Sequence, residues 1–169
     1  MAATLELYLV RHAIAAERGS EYPDDRKRPL TAKGLARWRQ EVRGLKLLGV
    51  EIDHVLTSPL VRTRQTADAL VAGLARKPTI SETPALAPGG GPQAVAAAVA
   101  AHARKHRRIG LVGHEPDLGE LAASLLKAKG AVEFRKGAVC RIDVDVATPG
   151  GPGVLRWFLP PKAMRRMAR

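Results

Sequence analysis

The sequence predicts a three-layer α/β/α sandwich around a mixed, mostly parallel central sheet. Short apolar runs rich in β-formers, such as Leu5 to Val10 and Ile109 to Val112, alternate with longer stretches of helical periodicity. The composition is 46% hydrophobic, 26% charged and only 4% aromatic, with abundant alanine, which favours helices over an all-β core. Two late segments flanking T-P-G-G-P-G read as a hairpin, so the antiparallel strands come near the end of the chain. At 169 residues, one domain spanning 1–169 is expected to bury a single core.

Leu5, Leu7, Tyr8, Leu9 and Val10 form the first strand, buried on both faces, and it ends abruptly on Arg11 and His12. Residues 16 to 30 are polar and proline-punctuated, too long for a simple turn, and are a candidate active-site loop. Thr31 caps a helix whose apolar stripe is Leu35, Trp38, Val42, Leu45 and Leu48, with Arg37, Arg39, Glu41 and Lys46 off it and Gly49 as the stop. I-D-H-V-L-T is a short strand. The helix after it is expected to take Ser58 as N-cap and Pro59 as its first residue, with Leu60, Ala67, Leu70, Val71 and Leu74 inward. An extended stretch around Pro78 to Ile80 leads through A-P-G-G-G-P to an alanine-rich helix from Gln93 to about Arg104. Ile109, Leu111 and Val112 form a strand ending on His114, and Pro116 opens the next helix. Segments 138 to 146 and 154 to 159 complete the sheet.

A single cysteine, Cys140, excludes an internal disulfide, and its alternation with Ala138, Ile142, Val144 and Val146 makes it a core residue. Glu6 interrupts the first apolar run and no basic segment precedes it, so neither a signal peptide nor a membrane span is expected and the protein is expected in the cytoplasm. The net charge of +12 predicts anionic company without choosing between nucleic acid, phosphorylated small molecules and phosphorylated proteins.

Two buried strands thus end on a histidine, His12 and His114, at the sheet edge where open α/β folds bind ligands. Arg62 falls in the first turn of a helix, where free N–H groups already favour an anion. His12, His114, Arg11 and Arg62 in one crevice would make a donor-rich pocket without a compensating carboxylate, suited to phosphate because guanidinium forks match its oxygens.

With these residues, the sequence resembles the histidine phosphatase superfamily, in the phosphoglycerate mutase-like branch 1, whose hallmark is Arg-His-Gly after the first strand. Here the motif reads Arg11-His12-Ala13, a departure that crowds the turn by one methyl. R-P-L-T-A-K-G (28 to 34), L-T-S-P-L-V-R-T-R-Q-T-A (56 to 67), V-G-H-E-P-D-L (112 to 118) and W-F-L-P-P-K (157 to 162) are similar to successive landmarks of its SixA-type phosphohistidine phosphatases. The resemblance implies a phosphoglycerate mutase-like fold, His12 as the nucleophile that accepts the phosphoryl group, and Arg11, Arg62 and His114 as holders of its oxygens. It implies a phosphorylated substrate, a phosphohistidine-bearing protein or a small phosphorylated molecule, with no cofactor. A neutral imidazole is a competent nucleophile, and His114 is expected to help most as an imidazolium.

Other candidates read differently. His54 precedes a strand, which puts it at the opposite sheet edge in a surface or structural role. His102 and His106 have the i, i+4 spacing of a zinc chelate, but no third ligand or intervening glutamate accompanies them, so no metal is expected. Arg64 points away from Arg62 toward solvent or the substrate rim, and Arg28 reaches either the phosphate pocket or a protein partner. Glu115 and Asp117 suit helix capping, and glycines 89 to 91 a flexible turn. By the resemblance, relatives that cleave alkyl phosphates carry a glutamate general acid in the loop that here reads T-P-A-L-A-P-G-G-G-P, without an acid, so phosphohistidine and then aryl phosphates are expected to be preferred over alkyl phosphates; Glu82 precedes the expected position by several residues and is the residue to test. Competing readings are a broader phosphomonoesterase, a mutase-type transfer enzyme and a basic nucleic-acid-binding protein, the last disfavoured by few stacking aromatics and no nucleic-acid module.

Overall fold

The computed structural model of the chain describes residues 3–169. In chain order they form β1 (Thr4–Arg11), α1 (Ala32–Leu47), β2 (His54–Thr57), α2 (Val61–Gly73), β3 (Thr79–Glu82), α3 (Pro92–Ala103), β4 (Arg108–Gly113), α4 (Asp117–Leu126), β5 (Val139–Asp145), β6 (Val154–Leu159) and α5 (Pro161–Met167). The strands make one six-stranded sheet in the order β3-β2-β4-β1-β5-β6. β1 to β4 are mutually parallel, and β5 runs antiparallel to both β1 and β6. The mixed, mostly parallel α/β/α sandwich expected from the pattern is the fold observed.

Side chains of β1 alternate between two cores. Leu5, Leu7 and Leu9 pack with Val99 of α3 and Leu121 of α4 on one face, while Tyr8 and Val10 meet Trp38 of α1, Leu70 of α2 and Met164 of α5 on the other. Each such leucine stabilises the fold by about 1.5–3 kcal/mol relative to exposure. Cys140 lies in the first of these cores, as its strand pattern implied. Among the described residues, no helix is long and apolar enough to cross a membrane.

Three local expectations are corrected. Leu48 lies outside α1 and is 47% exposed, whereas Glu41, expected on the solvent side, is 3% exposed and ion-paired with Arg165. Glu41 is covered by α5, too short to leave a periodic stripe in the sequence, which packs across α1 so closely that a Cβ at Gly44 would lie 2.2 Å from the Met164 carbonyl oxygen. The third concerns α2, which begins at Val61 with Leu60 as N-cap rather than with Ser58 and Pro59. Ser58 does accept a 3.3 Å hydrogen bond from the Leu60 N–H, but its hydroxyl is turned toward His114.

Candidate active site

Register brings the two strand-end histidines together. β1 and β4 are adjacent and parallel with Arg11 opposite Gly113, so the next residues, His12 and His114, emerge side by side. Their ring centroids are 5.3 Å apart, and the His12 N–H donates to the Gly113 carbonyl at 3.1 Å. From this point β1 leads to α1 on one face and β4 to α4 on the other, a topological switch point where open α/β sheets leave a crevice. A cleft of about 520 Å³ opens there, with Arg11, His12, Arg28, Arg62, His114 and Lys136 in its wall.

His12 is 6% exposed and its Nδ1 lies 2.8 Å from the Ala13 carbonyl oxygen. A carbonyl only accepts, so Nδ1 carries the proton and Nε2 presents its lone pair. Burial, reinforced by Arg62 and Arg11, pushes the His12 pKa down to about 4, so the ring is neutral near pH 7. The extra methyl of Ala13 is accommodated in the core beside α1 and α2 at 2% exposure. Its N–H donates to Thr66 Oγ1 at 3.1 Å, and that hydroxyl donates to the Arg62 carbonyl at 2.7 Å, tying the His12 turn to the helix that carries Arg62.

His114 differs from expectation. Burial, with His12, Arg62 and Arg11 nearby, pushes its pKa down to about 3, so it is a neutral imidazole and not an imidazolium. Its Nε2 is 2.9 Å from Ser58 Oγ. Among the described residues that nitrogen is the only acceptor bonded to the Ser58 hydroxyl, whose oxygen accepts from the Leu60 N–H, so the Ser58 proton goes to Nε2 and the His114 proton stays on Nδ1. Nδ1 is buried and without a protein partner, a donor still to be satisfied.

The sequence suggested a pocket without a compensating carboxylate, but the arginines have one. Asp25, from the polar loop after β1, accepts from Arg62 Nη2 at 3.0 Å and from Arg28 Nε at 2.9 Å, and its carbonyl accepts from Arg62 Nη1 at 2.8 Å. Burial raises the Asp25 pKa, but Arg62 and Arg28 outweigh it and hold the carboxylate below its ordinary range. Arg62 is 3% exposed and its Nε lacks a partner; Arg11 spends Nη1 on the Phe134 carbonyl and also keeps an unpartnered Nε. Arg28 therefore lines the cleft through the Asp25 hub.

Glu82 is not the acid of this cleft: β3 is the sheet's edge strand, and the Glu82 carboxylate, 46% exposed, pairs with Arg64 at 3.2 Å. Arg64 also pairs with Asp68 along α2. Two carboxylates do line the cleft, Glu115 and Asp117, and burial raises the Glu115 pKa against the pull of hydrogen bonds from the Phe134 and Gly119 N–H groups. The Gly119 bond is the capping role expected of it. Asp117 instead accepts from the Gly89 N–H, fastening the glycine loop over the cleft. Lys136, Asp25 and Thr66 had no spacing signal of their own, and Ser58 was read only as a helix N-cap. Lys136 is set by Gly137, which adopts φ +84° and sits where a Cβ would press on Glu41 at 2.5 Å.

A second cavity of about 640 Å³ adjoins the cleft through Arg11 and Lys136, with Arg37, Arg135, Lys162 and Arg165 around it. His54 lies at the opposite edge of the sheet, as expected, but it stands against His102 and His106, so the expectation that no third ligand accompanies that pair fails.

Residues 7–87 match the histidine phosphatase superfamily (branch 1). An uncharacterised protein of Picosynechococcus sp. is 40% identical, over 92% of this chain and all of the relative. The phosphohistidine phosphatase SixA of Escherichia coli (strain K12) is 28% identical, over 93% of this chain and 94% of SixA. A solved structure of the protein histidine phosphatase SixA complexed with tungstate superposes with a TM-score of 0.83 over 94% of this chain and 98% of that one, again at 28% identity. The fold recurs at 12% identity in a phosphoglycerate mutase of Bacillus anthracis, with a TM-score of 0.70 over 99% of this chain and 98% of the mutase.

Proposed function

This chain belongs to the histidine phosphatase superfamily, branch 1, and is a phosphatase of the SixA type; we propose that it works through a phosphohistidine formed on His12 and that it acts on phosphohistidine in a protein. The observation that carries the reading is the tautomer of His12: Nδ1–H on a carbonyl, Nε2 bearing a lone pair at the cleft. Nε2 attacks phosphorus as the substrate's P–N bond breaks, and water then attacks the phosphorus of the new phosphohistidine, releasing inorganic phosphate and regenerating His12. Arg11 and Arg62 supply charge for the transferring group, Arg62 exchanging part of its Asp25 pairing for phosphate oxygens. His114 donates through Nδ1–H while neutral, and a bound phosphate's negative charge favours its protonation.

The leaving group follows from the same groups. An alkoxide expelled without a proton is poor, whereas a phosphorylated imidazole already protonated leaves as a neutral ring. Asp25 is held ionised and Asp117 is engaged by the Gly89 N–H, so of the cleft carboxylates Glu115, with its raised pKa, is the candidate to protonate an alkoxide. Its two backbone hydrogen bonds favour the charged form and oppose that role. A protein substrate is supported by the second cavity, whose cations extend the cleft's attraction for an acidic surface beyond a single phosphate.

The test is a panel of phosphohistidine peptide, aryl phosphate and alkyl phosphate, assayed with chelator present. Phosphohistidine and then aryl phosphate should be preferred, because general acid help is worth about 10²- to 10⁴-fold and the alkyl substrate goes without it. His12→Ala should abolish turnover, and labelled substrate should leave an acid-labile, base-stable phosphoenzyme in the unsubstituted protein. Comparable alkyl phosphate rates that vanish in Glu115→Gln would assign Glu115 as a general acid and replace the phosphohistidine assignment by a broader phosphomonoesterase.

A further inference from the structure

At the sheet edge opposite the cleft, we propose that His54, His102 and His106 form a binding site for a divalent cation of the zinc class. His54 opens β2, His102 stands in the last turn of α3, and His106 lies in the turn that feeds β4. β4 pairs with β2 with Ile109 opposite His54, so the chain leaving α3 enters the sheet beside the start of β2. The His106 N–H donates to the His102 carbonyl at 3.1 Å, keeping those two side chains one turn apart on the same side. The candidate ligand nitrogens of all three lie within 4.8 Å of one another. The His54 ring is 4.4 Å from that of His102 and 4.9 Å from that of His106, nearly parallel to both.

His54 has the chemistry of a prepared ligand. It is 4% exposed, its Nδ1 is 2.7 Å from Thr79 Oγ1 on the neighbouring strand, and its Nε2 is buried with no protein partner. A hydrogen bond that orients one ring nitrogen and leaves the other for the ion is the usual support of a metal-bound imidazole. Nitrogens around a tetrahedral ion at 2.0–2.1 Å are roughly 3.3 Å apart, so the rings must fan out of their stack and close by somewhat over an ångström. His102 and His106 are half-buried, at a helix end and in a turn, and can make that adjustment while His54 stays fixed. Three imidazoles without a thiolate or carboxylate select zinc, cobalt, nickel or copper over magnesium and calcium, and leave a fourth position for water. The exposed Arg104 and Lys105 oppose the ion, but through solvent.

The test uses the untagged full chain, stripped with chelator and titrated with zinc chloride by calorimetry near pH 7.5, with Co²⁺ absorption as a measure of tetrahedral geometry. One ion should bind, and binding should persist in His12→Ala, which disrupts the only other histidine pair at hand. His54→Gln should weaken it on the order of 100-fold or more, and Thr79→Val, which removes only the orienting hydroxyl, by about 10- to 100-fold. Phosphatase activity of His102→Ala and of His106→Ala in chelator should equal that of the unsubstituted chain. Zinc affinity unchanged by both His54→Gln and Thr79→Val would reduce the feature to a surface His102–His106 chelate and overturn the proposal, as would binding lost in His12→Ala. If His54→Gln does not fold, Thr79→Val on the edge strand decides alone.

Discussion

Replacing Ser58 by alanine removes one hydroxyl from a wholly buried position and should act on chemistry and stability by different routes. The Ser58 hydroxyl sits 2.9 Å from His114 Nε2 and receives the Leu60 N–H at 3.3 Å. Without it, Nε2 of a 3% exposed imidazole has no donor, a loss of about 1–3 kcal/mol for an unsatisfied buried acceptor. For a chain of this size that lowers Tm by about 2–4 °C for each kcal/mol. Without the hydroxyl nothing fixes the His114 proton on Nδ1, and the Nε2–H tautomer, equally unpartnered at Nε2, offers the phosphate no donor. One donor to developing transition-state charge is worth about 3 kcal/mol, so kcat on an aryl phosphate should fall roughly 10²-fold with KM changing much less. Ser58→Cys, retaining a weak donor, should fall between. The assays are steady-state kinetics, thermal melting and ¹⁵N chemical shifts of the His114 ring. Full kcat in Ser58→Ala, or an Nε2–H tautomer for His114 in the unsubstituted protein, would refute the reasoning.

Arg62→Ala should lower kcat by about 10²-fold or more, with Arg62→Lys only a partial rescue because a point charge cannot reproduce the fork; a lysine variant equal to wild type would remove bidentate phosphate contact from this position. Acid should destabilise the protein through its buried histidines, since the folded state holds His12 and His54 near 4 and His114 near 3 while the unfolded chain protonates near 6.5. Each therefore contributes stability that is complete above about pH 6.5 and is lost as pH falls through the folded values, with a slope of up to about 4 kcal/mol per pH unit for three protons. Urea unfolding in chelator from pH 7 to pH 4 measures that slope, His54→Gln should remove about a third of it, and a flat profile down to pH 5 would contradict the neutral assignments.

Much of the site was legible because strand ends are local. An apolar run that stops on Arg11-His12 and another that stops on His114 place both histidines at the carboxyl ends of strands, and the periodicity of α2 places Arg62 in its first turn whether the helix starts at 59 or 61. Apolar pattern and turn residues likewise announced five of the six strands and four helices, most of which bury a face of their own, while β6 was marked by the T-P-G-G-P-G turn before it. What periodicity lacks is any record of which elements become neighbours. The parallel register of β1 with β4 set His12 beside His114, and their shared burial among cations turned His114 from the expected imidazolium into a neutral ring. Asp25, in a loop without periodicity, was invisible as the partner of Arg62, and Glu41 gave no sign of burial because the covering helix, α5, is only seven residues long. His102 and His106 were readable as a pair one turn apart, but their third neighbour lies 48 residues back along the chain from His102, at the start of β2. Only the pairing of β2 with β4 brought it there, because a strand's lateral partners depend on the packing of the whole sheet and not on the residues next to it in sequence.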